Sequence, residues 1–288
     1  MTATLARTAE VSRRFGNFTA VHSVSIAVQP AEVVGLLGAN GAGKTTLIRL
    51  LLGLVRPSSG EVELLGRAPS VATRRRVGYV PQSLGLYVDL TAGENWDFTA
   101  AAFGSPRLPL PALVASVRDE LVGALALGTQ RRVAYEVAMA HKPELLVLDE
   151  PTSGVGPLAR ARLWQDIRET ADAGAGVLVT THNMEEAEQC DRLVVMVDGG
   201  IAASGTVAEI VGGRTVLEVR CDDWQRAFAI LDAAGLEVQA HGEVLRVDAS
   251  ASQIVERLAG QDLSPNVSVA PANLEEAFIA VVSRSGRP

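Results

Sequence analysis

Between Glu32 and Leu54 three stretches follow one another without a gap. An apolar run, Glu32-Val-Val-Gly-Leu-Leu37, leads into Gly38-Ala39-Asn40-Gly41-Ala42-Gly43-Lys44-Thr45-Thr46. A second apolar run, Leu-Ile-Arg-Leu-Leu-Leu-Gly-Leu54, follows. The first run reads as a buried strand. Thr46 to Leu54 reads as a helix, ended by Gly53 and Pro57. Strand, glycine loop and helix in this order are the context that makes such a loop a phosphate site. Gly38, Gly43, Lys44 and Thr45 also stand at every fixed position of the phosphate-binding loop pattern. Glycines let backbone N–H groups curl round a polyphosphate while the new helix points its positive end at it. Lys44 is placed to reach the β- and γ-phosphates, and the Thr45 hydroxyl to hold Mg²⁺. Of 26 basic residues only Lys44 and Lys142 are lysines, so a lysine at this position stands out. A compact ammonium fits inside such a loop where a planar guanidinium does not. The competing reading is a glycine-rich turn before a core helix.

The bulk composition narrows the setting. At 288 residues the chain can form one large or two medium domains. No run of about 18 uncharged apolar residues occurs, so no segment is expected to span a bilayer. No charged and then apolar leader opens the chain, so secretion is not expected. Cys190 and Cys221 do not suggest a disulfide framework and fit a reducing cytosol. With a net charge of −7 there is no global basic field for nucleic acid. Arg74-Arg-Arg76 and Arg131-Arg132 read as solvated faces.

Residues 4–30 alternate loosely and read as an antiparallel sheet laid before the glycine loop. Phe15-Gly16 falls in a turn there, where an aromatic could stack on a purine or simply pack. Glu61–Leu65 and Arg76–Val80 read as strands, the latter closed by Pro81-Gln82. Helices are expected over Glu94–Ala102 and Ala112–Leu127, interrupted by Pro106, Pro109 and Pro111. They form a small insert at about 83–130. A further helix is expected over Arg131–His141. Glu144-Leu-Leu-Val-Leu-Asp-Glu150 is a continuous apolar run ending in two carboxylates, as a strand buried on both faces requires. Ligands of parallel sheets bind at such carboxyl ends, although Asp149 and Glu150 could also be ordinary strand-end charges. Leu158–Ala171 reads as a helix, Gly176–Thr181 as the next buried strand, with His182 just past its end. His182 with Glu185 and Glu186 has a helical spacing that could suggest a metal site, but one imidazole without a second nearby argues against it. Leu193–Val197 and Gly200–Ala203 read as a hairpin. After Gly212-Gly213 the order is β-α-β twice plus a terminal helix, a split ferredoxin-like arrangement without catalytic pattern.

The order of Gly38–Thr46, Tyr79-Val-Pro-Gln82, Leu146-Val-Leu-Asp-Glu-Pro-Thr152 and Thr180-Thr-His182 resembles that of ATP-binding-cassette (ABC) ATPases. Leu274-Glu-Glu-Ala-Phe278 resembles the closing helix of a small C-terminal domain. That domain occurs in the nucleotide-binding subunits of drug- and antibiotic-type (ABC-2 type) exporters. The resemblance covers essentially the whole chain. It implies an α/β P-loop NTPase domain with an antiparallel N-terminal sheet and a helical insert over residues 1–213. An α+β ferredoxin-like accessory domain over 214–288 completes the expected fold. It implies ATP and Mg²⁺ as ligands, Phe15 stacking on adenine, and the loop Gly38–Thr46 holding phosphates. It further implies that Thr45 and Gln82 contact Mg²⁺ and that Asp149 reaches the metal through water. Glu150 then acts as general base, and His182 contacts the γ-phosphate.

The departures from the family pattern carry as much information. The family's Leu-Ser-Gly-Gly-Gln signature grips the γ-phosphate held by the other subunit's loop. In the same register this chain has Leu125-Ala126-Leu127-Gly128-Thr129. The hydroxyl is lost at Ala126, and Leu127 hinders close backbone approach. Gly156 stands where an aspartate is usual. The resemblance therefore implies an ATP-hydrolysing subunit of an exporter of drugs, antibiotics or lipids, peripheral on the cytoplasmic face of the membrane. Its expected partners are permease chains and a second, different nucleotide-binding chain, with no nucleic acid. The rival readings are a regulatory ATP-holding subunit and a soluble ABC ATPase outside transport.

Overall fold

A computed structural model describes residues 4–104, 109–259, 261 and 263–285. Pro106, one of the expected helix interruptions, lies outside the described residues. The chain divides into two compact units between Thr206 and Val207.

The first unit opens with β1 (Ala6–Phe15), β2 (Phe18–Val24) and β3 (Ala27–Val28). β1 pairs antiparallel with β2, β3 and the later β5 (Ser59–Leu64). This is the expected N-terminal sheet. β4 (Val33–Leu37) is buried at every residue and runs into α1 (Lys44–Leu51). Continuous burial explains why its sequence does not alternate. A larger sheet has the order β10-β9-β4-β8-β7-β6. Its members are β6 (Val77–Val80), β7 (Leu145–Asp149), β8 (Gly176–Thr181), β9 (Arg192–Val197) and β10 (Gly200–Gly205). β4, β6, β7, β8 and β9 are parallel, and β10 returns antiparallel through Asp198-Gly199.

Register is what builds the site. Leu37 of β4 lies opposite Thr181 of β8, and Asp149 of β7 lies opposite Thr180. The carboxyl ends of β4, β7 and β8 thus fall side by side. The glycine loop, Glu150 and His182 all emerge at that edge, where ligands of such sheets bind.

The remaining helices of this unit are α2 (Val71–Arg74), α3 (Ala92–Ala102), α4 (Ala112–Ser116), α5 (Leu127–Met139), α6 (Pro157–Asp172) and α7 (Met184–Ala187). The expected helix over Ala112–Leu127 is not continuous: α4 stops at Ser116, and a single tight turn covers Val122–Ala124. The backbone in between bonds elsewhere. The Arg118 and Glu120 carbonyls accept from the N–H groups of Gly93 and Ala92, and Val122 and Gly123 donate to Leu90 and Val88. Those bonds compete directly with helical ones. The helix expected from Arg131 begins four residues earlier, at Leu127.

Arg131-Arg132 is not a solvated face either. Arg131 is 7% exposed, and Arg132 donates to Asp166 at 3.0 Å. Each finds a polar partner from another element, which is what allows burial of a guanidinium.

The second unit contains α8 (Val207–Val211), β11 (Thr215–Arg220), α9 (Trp224–Ala233), β12 (Val238–His241), β13 (Val244–Val247), α10 (Ala251–Leu258), β14 (Asn266–Pro271) and α11 (Leu274–Ser285). Its sheet has the order β12-β13-β11-β14 and is antiparallel throughout, the expected split ferredoxin-like topology. Leu231, Ile254 and Leu258 pack on Val219, Leu245 and Val247. Arg246 is clamped by Glu276 at 2.6 Å and Glu218 at 2.8 Å.

Candidate functional site

Gly43 precedes α1 with φ +99°, and a Cβ there would stand 2.5 Å from the Ala20 carbonyl oxygen. Only glycine meets both demands, so the loop can turn into the helix beneath β2. Lys44 opens α1 and is 5% exposed. Its Nζ donates to the carbonyls of Gly38 at 2.6 Å and Ala39 at 3.1 Å, and lies 3.6 Å from Glu150 Oε1. Burial lowers its pKa, while Glu150 and then Asp149 oppose that shift. The loop and Glu150 are thus electrically coupled.

Residues Asn40 to Thr46 line a cavity of about 340 Å³ together with Phe18, Ala20, Gln82 and Glu150. Thr45 and Thr46 therefore face the same space as Gln82 and Glu150. Gln82, on the loop after β6, donates from Nε2 to Glu150 Oε2 at 3.4 Å. His182 Nδ1 lies 3.6 Å from the same oxygen. The structure gathers Lys44 from the start of α1, and Gln82 and His182 from two separate loops, around one carboxylate. Glu150 itself is 8% exposed, with a left-handed backbone at φ +48°.

Asp149 lies behind it, 1% exposed. Its Oδ1 accepts from the Thr180 hydroxyl at 2.7 Å, and its Oδ2 is buried without a hydrogen-bond partner among the described residues. The Glu150 N–H donates to the same Thr180 oxygen at 2.8 Å. Burial also pushes the Tyr79 phenol up, with Asp149 adding to the shift.

Phe15 is not part of the cavity lining. It ends β1, paired across the turn with Phe18, and the Arg13 guanidinium lies 4.4 Å over its ring. Phe18 is the aromatic that lines the cavity.

Four contributors were not legible in advance. Thr180 links the Asp149 carboxylate to the Glu150 backbone N–H. Arg131 donates to the Gln82 carbonyl at 2.9 Å; burial lowers its pKa and Glu150 opposes the shift. Glu186 is 3% exposed and accepts from the hydroxyls of Thr152 at 2.5 Å and Thr181 at 2.7 Å. It therefore ties the loop after β7 to the residue before His182, rather than pairing with His182. Phe18 is the fourth. The available hint was polarity inside apolar runs: Thr180 and Thr181 follow Val177-Leu-Val179.

The signature-like segment lies at the start of α5. Ala126 precedes the helix with no side-chain bond to its free N–H groups, whereas serine or threonine would supply one. Ala126, Gly128 and Thr129 line a cavity of about 430 Å³ with Arg132, Gly156 and Leu158 among others. A Cβ at Gly128 would stand 2.7 Å from the Ala159 Cβ, so helix packing requires that glycine.

Comparison with known proteins places the chain in a family. The family model described as ABC transporter matches residues 21–153. The "Nod factor export ATP-binding protein I" of Ralstonia nicotianae is 37% identical, over 96% of this chain and 92% of that protein. The "Probable multidrug ABC transporter ATP-binding protein YbhF" of Escherichia coli is 38% identical over 68% of this chain, a match spanning 36% of its own length. A solved "ATP binding subunit of ABC transporter" superposes with a TM-score of 0.64 at 27% identity, covering 88% of this chain and 99% of that one. Shared sequence over nearly the full length, on a fold that brings the glycine loop to Glu150, makes this chain a member of the ABC transporter family and one of its ATP-binding, ATP-hydrolysing subunits.

Proposed function

We propose that this chain drives a membrane exporter from the cytoplasmic face, bound there to separate permease chains. The observation that carries the reading is the convergence of Lys44, Gln82 and His182 on Glu150. Lys44 and the amides of Gly38–Thr46 hold the phosphates. Phe15 supplies an aromatic face for adenine, with Phe18 beside it at the mouth of the cavity. Glu150 takes a proton from the attacking water. Gln82 and His182 orient that carboxylate, and His182 reaches the γ-phosphate. Buried donors fixed in advance lower the cost of charge developing on the phosphoryl oxygens.

The residues present also fit Mg²⁺. Thr45 and Gln82 offer oxygens at the cavity, and the buried, unpartnered Oδ2 of Asp149 is an acceptor suited to a metal-bound water. Such an ion would neutralise phosphate charge.

Export as the direction is supported by the relatives named for Nod factor export and multidrug transport. Permease docking is supported by an apolar patch just beyond Gln82. Tyr87, Val88, Phe98 and Leu121 are all exposed, with the Tyr87 and Phe98 rings edge-on at 5.3 Å. Exposed aromatics grouped in this way mark binding surfaces. Among the described residues no helix is long and apolar enough to cross a membrane, which fits a separate spanning chain. Phe98→Asp should reduce co-purification with the permease at least about tenfold and leave ATP affinity of the chain alone unchanged. Undiminished co-purification would move the docking surface elsewhere. Residues 214–288 act as an accessory domain in this reading.

The signature segment argues for an asymmetric pair. Each ATP in the family lies between one subunit's phosphate loop and the other's signature. A homodimer would carry Ala126-Leu127-Gly128-Thr129 at both sites. Losing a hydrogen bond to a charged group costs about 1.5–3 kcal/mol, roughly ten- to a hundredfold in closed-state affinity. A different partner would leave only one weak site. The chain purified alone should therefore be a slow ATPase. Restoring Ala126→Ser, Leu127→Gly and Thr129→Gln together should raise its rate about tenfold or more. If the unmodified chain alone matches its assembled transporter and restoration adds nothing, the asymmetric pair is wrong. The same missing cap favours, as a second reading, a regulatory subunit that holds ATP and hydrolyses little. Turnover of the assembled complex that is insensitive to Glu150→Gln would establish that one.

A further inference from the structure

Glu150 and Asp149 are adjacent in sequence but leave β7 in different conformations, and a single side chain on the neighbouring strand touches both. Thr180 is fully buried on β8, opposite Asp149 in the parallel register. Its hydroxyl donates to Asp149 Oδ1 at 2.7 Å and accepts from the Glu150 N–H at 2.8 Å. We propose that Thr180 is the positioning residue of the hydrolytic site: one hydroxyl sets both the carboxylate facing the metal and the backbone of the base. The inference rests on the ATPase reading of the site and adds a residue to it.

Two features of the geometry carry the proposal. The first concerns Asp149. A carboxylate held at one oxygen by a strong donor has its plane set, and its second oxygen then points in one direction. Here that second oxygen, Oδ2, is buried with no partner among the described residues. A hydroxyl that holds one oxygen and leaves the other free is what orienting a metal-directed carboxylate requires. The second concerns Glu150. A non-glycine residue at φ +48° is strained and persists only where its surroundings hold it. The bond from the Glu150 N–H to Thr180 is such a hold, formed at the residue whose side chain meets Lys44, Gln82 and His182. Strand β8 is otherwise apolar up to this point, Gly176-Val-Leu-Val179, so a hydroxyl there has no other work in the core.

The chemistry demands a side chain that donates and accepts at once. Only a hydroxyl does both in so small a volume. Thr180→Val keeps the β-branched shape and removes both bonds. Thr180→Ser keeps both bonds and removes a methyl group.

The test uses the full chain and its assembled complex. ATP affinity is measured by calorimetry in excess EDTA and in Mg²⁺, and kcat and KM are measured on the complex. Thr180→Val should bind ATP in EDTA as the parent does, because Thr180 does not line the phosphate cavity. The gain in ATP affinity from Mg²⁺ should fall about 10- to 100-fold, as for other residues that orient a metal ligand. kcat should fall by at least a similar factor, since Glu150 is released too, and Thr180→Ser should recover most of both. A parent gain that Thr180→Val keeps in full, with turnover within about twofold, overturns the inference alone. A serine variant as impaired as the valine variant also overturns it, because the methyl and not the hydroxyl then matters. A parent whose ATP affinity is indifferent to Mg²⁺ overturns the metal role of Asp149 and this inference with it.

Discussion

Lys44→Ala is expected to weaken ATP binding by about 10²- to 10⁴-fold. A hydrogen bond to a charged group contributes about 1.5–3 kcal/mol, and an ammonium reaching both β- and γ-phosphates makes two, at tenfold per 1.4 kcal/mol. Nothing nearby substitutes: the only other lysine, Lys142, lies beyond α5 on the loop before β7. Two carboxylates add to the effect. Glu150 sits 3.6 Å from Lys44, and Asp149 also acts on it electrostatically. Without the ammonium they face the incoming phosphates uncompensated. Lys44→Arg should not rescue binding, because the side chain is 5% exposed and donates into two loop carbonyls where a planar fork does not fit. Calorimetry measures both variants, with circular dichroism to show that they fold. Unchanged affinity for either would remove the phosphate role from this loop.

Glu150→Gln is expected to slow hydrolysis in the assembled complex by about 10²- to 10⁴-fold, the range for losing a general base. Binding should be no weaker than in the parent. The substitution keeps the shape of the side chain and can still pair with Gln82 and His182. It also frees Lys44 from an anion that competes with phosphate. Single-turnover measurements separate the two effects. A slow chemical step with tight binding identifies the base. A chemical step within about threefold of the parent would make Glu150 a structural carboxylate and return attention to the regulatory reading.

Legibility of the site followed a simple division. The glycine loop was readable because backbone demands leave glycines in the sequence. Gly43 with φ +99° shows the demand directly. Asp149 and Glu150 were readable because two charges ending an apolar run have few structural uses. The helical insert was only partly readable. Ala112–Leu127 has good helical periodicity, yet its backbone bonds to residues 88–93, and a competing partner elsewhere in the chain leaves no trace in a local pattern. Arg131-Arg132 misled for a related reason. A charge run looks solvated unless one knows that the Gln82 carbonyl and Asp166 wait for it.

The sequence by itself determined the α/β class, the glycine loop between β4 and α1, and the carboxylates at the end of β7. Each of these is written in neighbouring residues and enforced by local geometry. Only the tertiary structure decided which groups share one site. Gln82, Glu150 and His182 come from three loops, and they meet because parallel pairing sets β6, β7 and β8 in register. The same register lays Thr180 opposite Asp149, and turns Glu186 from a neighbour of His182 into the anchor of Thr152 and Thr181. Hydrogen bonds reach about 3 Å whatever the sequence separation. A threonine 31 positions from its aspartate is thus invisible as a partner until the strands lie side by side.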